Sequence, residues 1–162
     1  MGEEKIIEVK KLSVGYAGRV ILSNVSFDVR RGEIFIILGG SGSGKSTLLK
    51  NMIGLYPAMG GEVLIRGENM IGAAGAVRER LLRQCGVMYQ GGALFGSMTL
   101  AENIALPLEE CTRLPREARV LLSRLKLQQV GLEPFADYLP SETSGGMVKR
   151  AAVARAMALD PG

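Results

Sequence analysis

Residues 6 to 14 and 20 to 30 alternate apolar and β-branched side chains with polar ones, and Gly15-Tyr16-Ala17-Gly18 between them reads as a tight turn. That pattern predicts two antiparallel strands. A second turn, Arg30-Arg31-Gly32-Glu33, leads into five consecutive apolar residues, Ile34 to Leu38, a run without alternation. Such a run predicts a strand buried on both faces, as in a parallel sheet. From Gly44 the period becomes helical, with Leu48, Leu49, Met52 and Ile53 on one face and Gly54 as the stop. Strand, glycine loop and helix therefore follow one another, which predicts an α/β fold.

The second half carries shorter elements. Gly61 to Glu68 reads as another strand region, Ala76 to Gln84 as a helix with apolar positions at 77, 81 and 82, and Cys85 to Gln90 as a short apolar strand with a polar end. Residues 99 to 106 and 115 to 130 read as helices, and 131 to 140 as a loop. Ile104 to Glu110 superficially imitates an apolar strand followed by two acids, but Pro107 interrupts it. Gly145 to Leu159 is an Ala-rich helix closed by Pro161.

With 162 residues, 47 % of them hydrophobic, the chain can bury a core and fits one domain or part of one. No apolar run approaches the roughly 18 residues of a membrane span. The acidic start, Met1-Gly2-Glu3-Glu4, does not resemble an export leader. Cys85 and Cys111 lack metal-ligand spacing and read as reduced thiols, so a cytosolic setting is expected. There is no histidine, which removes imidazole bases and ligands. The net charge of +4 is modest; Arg113, Arg116, Arg119, Arg124 and Lys126 read as a solvated helix face, with too few interleaved aromatics to suggest nucleic acid.

Residues Gly39-Gly40-Ser41-Gly42-Ser43-Gly44-Lys45-Ser46-Thr47 contain the pattern G-x-x-x-x-G-K-[ST]. Glycines let a loop wrap a polyphosphate with its amides pointing inward, and the helix after it turns its positive end to the same place. In this pattern Lys45 reaches the β- and γ-phosphates and the Ser46 hydroxyl ligates Mg²⁺, so ATP and Mg²⁺ are the expected cofactors.

A second glycine-marked helix start, Thr143-Ser144-Gly145-Gly146-Met147, resembles the signature motif of ATP-binding-cassette (ABC) ATPases, with Met where that motif usually has Gln. Read alone, Ser144, Gly145 and Gly146 are a second anion site or simply a good helix cap. The resemblance implies that this signature closes on the γ-phosphate held by a second copy, hence a homodimer. It also implies that Gln90 is the glutamine that reaches Mg²⁺ and the attacking water, and that Tyr16 stacks on adenine. A polar strand end and an exposed turn tyrosine are the plain alternatives.

The order of aromatic turn, phosphate loop, glutamine and signature over residues 6 to 161 resembles an ABC nucleotide-binding domain: an antiparallel β-subdomain, a parallel core sheet, and a helical subdomain over 91 to 143. Tyr89 to Leu108 and Leu139 to Met147 resemble the ATPase subunit of the phospholipid-transporting Mla and toluene-tolerance systems. The resemblance implies ATP hydrolysis driving phospholipids between inner and outer membrane. The implied setting is the cytoplasmic face of the inner membrane, with an integral permease as direct partner and a periplasmic lipid-binding subunit as indirect one. Leu94, Phe95, Met98 and Leu100 then either line the groove for the permease or pack the core. The family's acidic metal ligand, catalytic glutamate and switch histidine fall after its signature helix, and the sequence stops at Gly162. The expectation is therefore the first two-thirds of such a domain, with turnover in a longer dimeric protein. A soluble ABC ATPase and a nucleotide-binding piece without turnover are the alternative readings.

Overall fold

The computed structural model describes residues 4–161; the acidic start read above lies partly outside them. The chain divides into two compact units, Met1–Leu82 and Arg83–Gly162. In the first, β1 (Lys5–Tyr16) and β2 (Arg19–Arg30) form the predicted hairpin, with Tyr16 opposite Arg19 and Gly15 opposite Val20. The turn residues Ala17 and Gly18 have φ of 49° and 78°, the paired left-handed geometry that matches strand twist in a two-residue hairpin.

After α1 (Lys45–Met52), β3 (Gly60–Ile65) and β4 (Glu68–Asn69) complete a four-stranded antiparallel sheet in the order β2-β1-β3-β4. Val9, Leu12, Val14, Val63 and Ile65 are buried on it. Each fully buried aliphatic side chain contributes about 1.5–3 kcal/mol. α1 ends as predicted at Gly54, where the amides of Gly54 and Leu55 donate to Asn51 O and Lys50 O at 2.9 and 2.8 Å. Arg78 of α2 (Gly75–Arg83) donates to Gly54 O at 2.8 Å and fastens that end.

The second unit holds α3 (Leu100–Cys111), α4 (Arg116–Gln129), two short 3₁₀ turns (Glu133–Phe135 and Pro140–Glu142), and α5 (Gly145–Ala156). Leu100, Ile104, Leu108, Leu127, Leu132, Ala151 and Ala154 form its core. α3 starts on a capping box in which Thr99 and Glu102 exchange hydrogen bonds.

Three expectations are corrected. Ile34 to Leu38 and Cys85 to Tyr89 form no strands. A strand needs a hydrogen-bonded neighbour, and among the described residues neither segment has one in the sheet. Ile34 and Leu38 are 89 % and 85 % exposed, as an apolar run without its neighbours must be. The segment is anchored by Phe35, stacked on Phe27 of β2 at 4.8 Å. Next, α3 continues through Pro107 to Cys111: burial of Ile104 and Leu108 on either side outweighs the lost amide. Lastly, Lys126 is buried, not on a solvated face, and pairs with Asp160. Its long stem is covered while the ammonium meets a carboxylate far along the chain.

No helix among the described residues is long and apolar enough to cross a membrane.

Candidate functional site

The glycine loop from Gly39 to Gly44 leads into α1 as expected, though no strand precedes it, and Ile21 and Leu22 of β2 stand against Gly44. Gly44, at the start of α1, has φ 93°, a left-handed value that a β-carbon disfavours. A methyl group there would also sit 2.8 Å from Ile21 Cγ2 and 3.1 Å from Leu22 Cγ. Ile21 joins Gly42, Ser43, Gly44, Lys45, Ser46 and Thr47 in lining an open concavity of about 170 Å³. Lys45 Nζ donates to Gly39 O at 2.6 Å, Gly40 O at 2.7 Å and Ser43 Oγ at 3.2 Å, so its ammonium is drawn across the loop. At Gly39 a β-carbon would fall 2.6 Å from Ser43 Oγ. The turn is closed by the amide of Ser43 donating to Gly40 O at 3.3 Å, while β-carbons at Gly40 and Gly42 would meet open space.

Such a loop suits a polyanion: it has a cation beside it, a helix start free of any side-chain cap, and Ser46 and Thr47 in the lining of the concavity. These residues also fit Mg²⁺ bound through phosphate oxygens, since a serine hydroxyl and water are ligands this hard cation accepts. Tyr16, 66 % exposed, lies at the same end of the hairpin as Ile21 and touches Tyr56 with ring centroids 5.9 Å apart.

In the second unit, Ser144 caps α5 by accepting from Met147 N at 3.3 Å, and Gly145 and Gly146 are exposed in its first turn. Gln90 is exposed in a turn whose continuation packs on the same helix. A β-carbon on Gly92 would lie 3.1 Å from Val148 Cγ1. Arg155 donates to Ala93 O at 2.8 Å and to Gly92 O at 3.1 Å. Burial lowers the guanidinium's affinity for its proton, yet the two carbonyls supply acceptors for it. The structure thus joins the backbone after Gln90 to α5.

Asn103 of α3 secures the rest of that loop. It is fully buried; its Oδ1 accepts from Phe95 N at 2.7 Å, and its amide donates to Phe95 O, Met98 O and Thr99 O at 3.0 to 3.1 Å. Sequence reading missed Arg155 and Asn103. A lone arginine among alanines and a polar residue inside an apolar helix pattern were the available signals. Of the apolar residues after Gln90, Leu100 is a core residue and Leu94 packs against the core, while Phe95 is 52 % exposed.

The family follows from comparison: the sequence profile of the ABC transporter family matches residues 22–162, and the chain belongs to that family. Solved ABC cassettes share the fold. The dimeric post-hydrolysis structure of the ATP-binding cassette MJ0796 bound to ADP and Pi superposes with a TM-score of 0.85, at 31 % identity, over 96 % of this chain and 70 % of that one.

Among curated relatives, the intermembrane phospholipid transport system ATP-binding protein MlaF of Haemophilus influenzae is 40 % identical over 158 residues, 98 % of this chain and 60 % of the relative. The probable ribonucleotide transport ATP-binding protein mkl of Mycobacterium leprae is 42 % identical over 155 residues, 96 % of this chain and 45 % of the relative. The chain therefore spans about half to three-fifths of the length of these relatives.

Proposed function

We propose that this chain is the nucleotide-holding part of an ABC transporter ATPase subunit that binds MgATP, dimerises, and drives phospholipid movement between two membranes. The observation that carries the reading is the phosphate loop, in which Lys45 spans the mouth of a glycine turn at a helix start without a side-chain cap. Gly39 to Gly44 wrap the phosphates, Lys45 neutralises their charge, and the Ser46 hydroxyl serves as a magnesium ligand. Tyr16 stacks on the base. Ser144, Gly145 and Gly146 meet the γ-phosphate of the partner copy, and residues 91 to 143 are the helical subdomain that faces an integral permease. Turnover belongs to the assembled full-length dimer, peripheral on the cytoplasmic face of the membrane.

Phospholipid cargo is supported by the function in the name of MlaF, 40 % identical to this chain. The name of mkl gives a different cargo, so cargo needs its own assay: ATP-dependent movement of labelled phospholipid between vesicles by the assembled transporter. Nucleotide binding is tested by calorimetry on Lys45→Ala. Loss of the charge-assisted contacts should weaken MgATP by at least about thirtyfold, some 2 kcal/mol. A change under about threefold, roughly 0.6 kcal/mol, sinks the assignment.

A further inference from the structure

The loop after α1 carries an aromatic ring that the phosphate-loop reading does not use. Tyr56 follows the helix end, with its amide donating to Lys50 O at 3.2 Å. The loop is held again at Met59, whose amide donates to Ser13 O of β1 at 2.8 Å. Pinned at both ends, it presents the Tyr56 ring to Tyr16 at 5.9 Å and a 45° tilt. Lys50 Nζ lies 5.2 Å from the Tyr56 centroid. A cation over an aromatic face is attracted by the ring's quadrupole, which favours one ring orientation over its alternatives.

Tyr16 needs such support. It sits on the exposed tip of a hairpin, directly before the Ala17-Gly18 turn. A ring free to rotate there loses entropy when a base stacks on it, whereas a ring already braced loses less.

We infer that Tyr56, steadied by Lys50, is a positioning residue that holds Tyr16 as a platform for a nucleobase, and that the pair makes the site prefer nucleotides over bare polyphosphate. The inference rests on the proposal that the phosphate loop binds ATP. It adds that base affinity is set by a residue outside that loop and outside the hairpin.

The test measures MgATP and magnesium tripolyphosphate binding to the wild type, Tyr56→Ala, Tyr56→Phe, Tyr16→Ala and the Tyr16→Ala/Tyr56→Ala double variant. Tyr56→Ala should weaken ATP by about three- to tenfold, the range of one aromatic pair contact, and leave tripolyphosphate within about twofold. Tyr56→Phe keeps the ring and should keep ATP affinity. In the Tyr16→Ala background, Tyr56→Ala should cost nothing further.

An equal loss for both ligands would make Tyr56 a structural residue only. No loss for either, or an undiminished loss without Tyr16, would equally overturn the inference while the nucleotide-binding reading stands. That reading fails on a separate result: a wild type that binds neither ligand, or Lys45→Ala binding ATP as the wild type does.

Discussion

The starts of α1 and α5 share a vocabulary of serine and glycine but are built differently. At α1 the residue before the helix is Gly44 in a left-handed conformation, no side chain caps the helix, and Lys45 supplies a cation. At α5 the cap is Ser144, its hydroxyl already engaged by Met147 N, and the glycines lie inside the helix. Gly44 is demanded by its own surroundings, since a β-carbon would strike Ile21 and Leu22. Around Gly145 nothing beyond its chain neighbours and its own helix backbone lies within 4 Å of where a β-carbon would go. The fold itself would accept alanine there, and because Gly145 is the first residue of α5, glycine's penalty in a helix middle applies to it only weakly. One helix start is uncapped and carries a cation beside it. The other is capped by its own serine and leaves its two glycines exposed.

Substitutions at the two ends should separate them. Gly44→Ala should have the largest effect, about 2–3 kcal/mol from left-handed strain and the contact with Ile21, seen in thermal unfolding and accompanied by loss of ATP binding. If Gly44→Ala binds ATP and melts like the wild type, the loop is not strained as described and the contrast collapses. Ser144→Ala removes a side-chain cap and should cost about 1 kcal/mol of stability, with ATP affinity of the isolated chain unchanged. A fall in ATP affinity would mean that α5 already serves the nucleotide of its own chain. Gly145→Ala should be the mildest change, within about 0.5 kcal/mol of the wild type in unfolding free energy. Destabilisation there would show that the glycine answers to the fold after all.

Local signals carried much of the architecture. The hairpin, the phosphate loop, the Gly54 stop and the Ala-rich helix were legible because each rests on neighbours in sequence: turn dihedrals, caps and periodicity. Ile34 to Leu38 and Cys85 to Tyr89 were misread for the opposite reason. Their apolar composition is that of strands, but a strand is completed by another segment's backbone, which a local pattern does not report. Lys126 was misplaced likewise, since its partner Asp160 lies 34 residues away. At the candidate site, the residues that would touch a ligand were visible as motifs. Those that hold the motifs, Arg155, Asn103 and Tyr56, were not, because their contacts run to backbone carbonyls and to a ring on other elements.

The Tyr16–Tyr56 pair also has an optical consequence. The chain contains no tryptophan and only four tyrosines, so its near-ultraviolet emission comes from phenol rings, half of them at this one contact. A purine stacking on Tyr16 would quench or shift a large share of the signal directly. The protein therefore carries its own dye for base occupancy, and tripolyphosphate, which lacks a ring, should leave that emission nearly dark to binding.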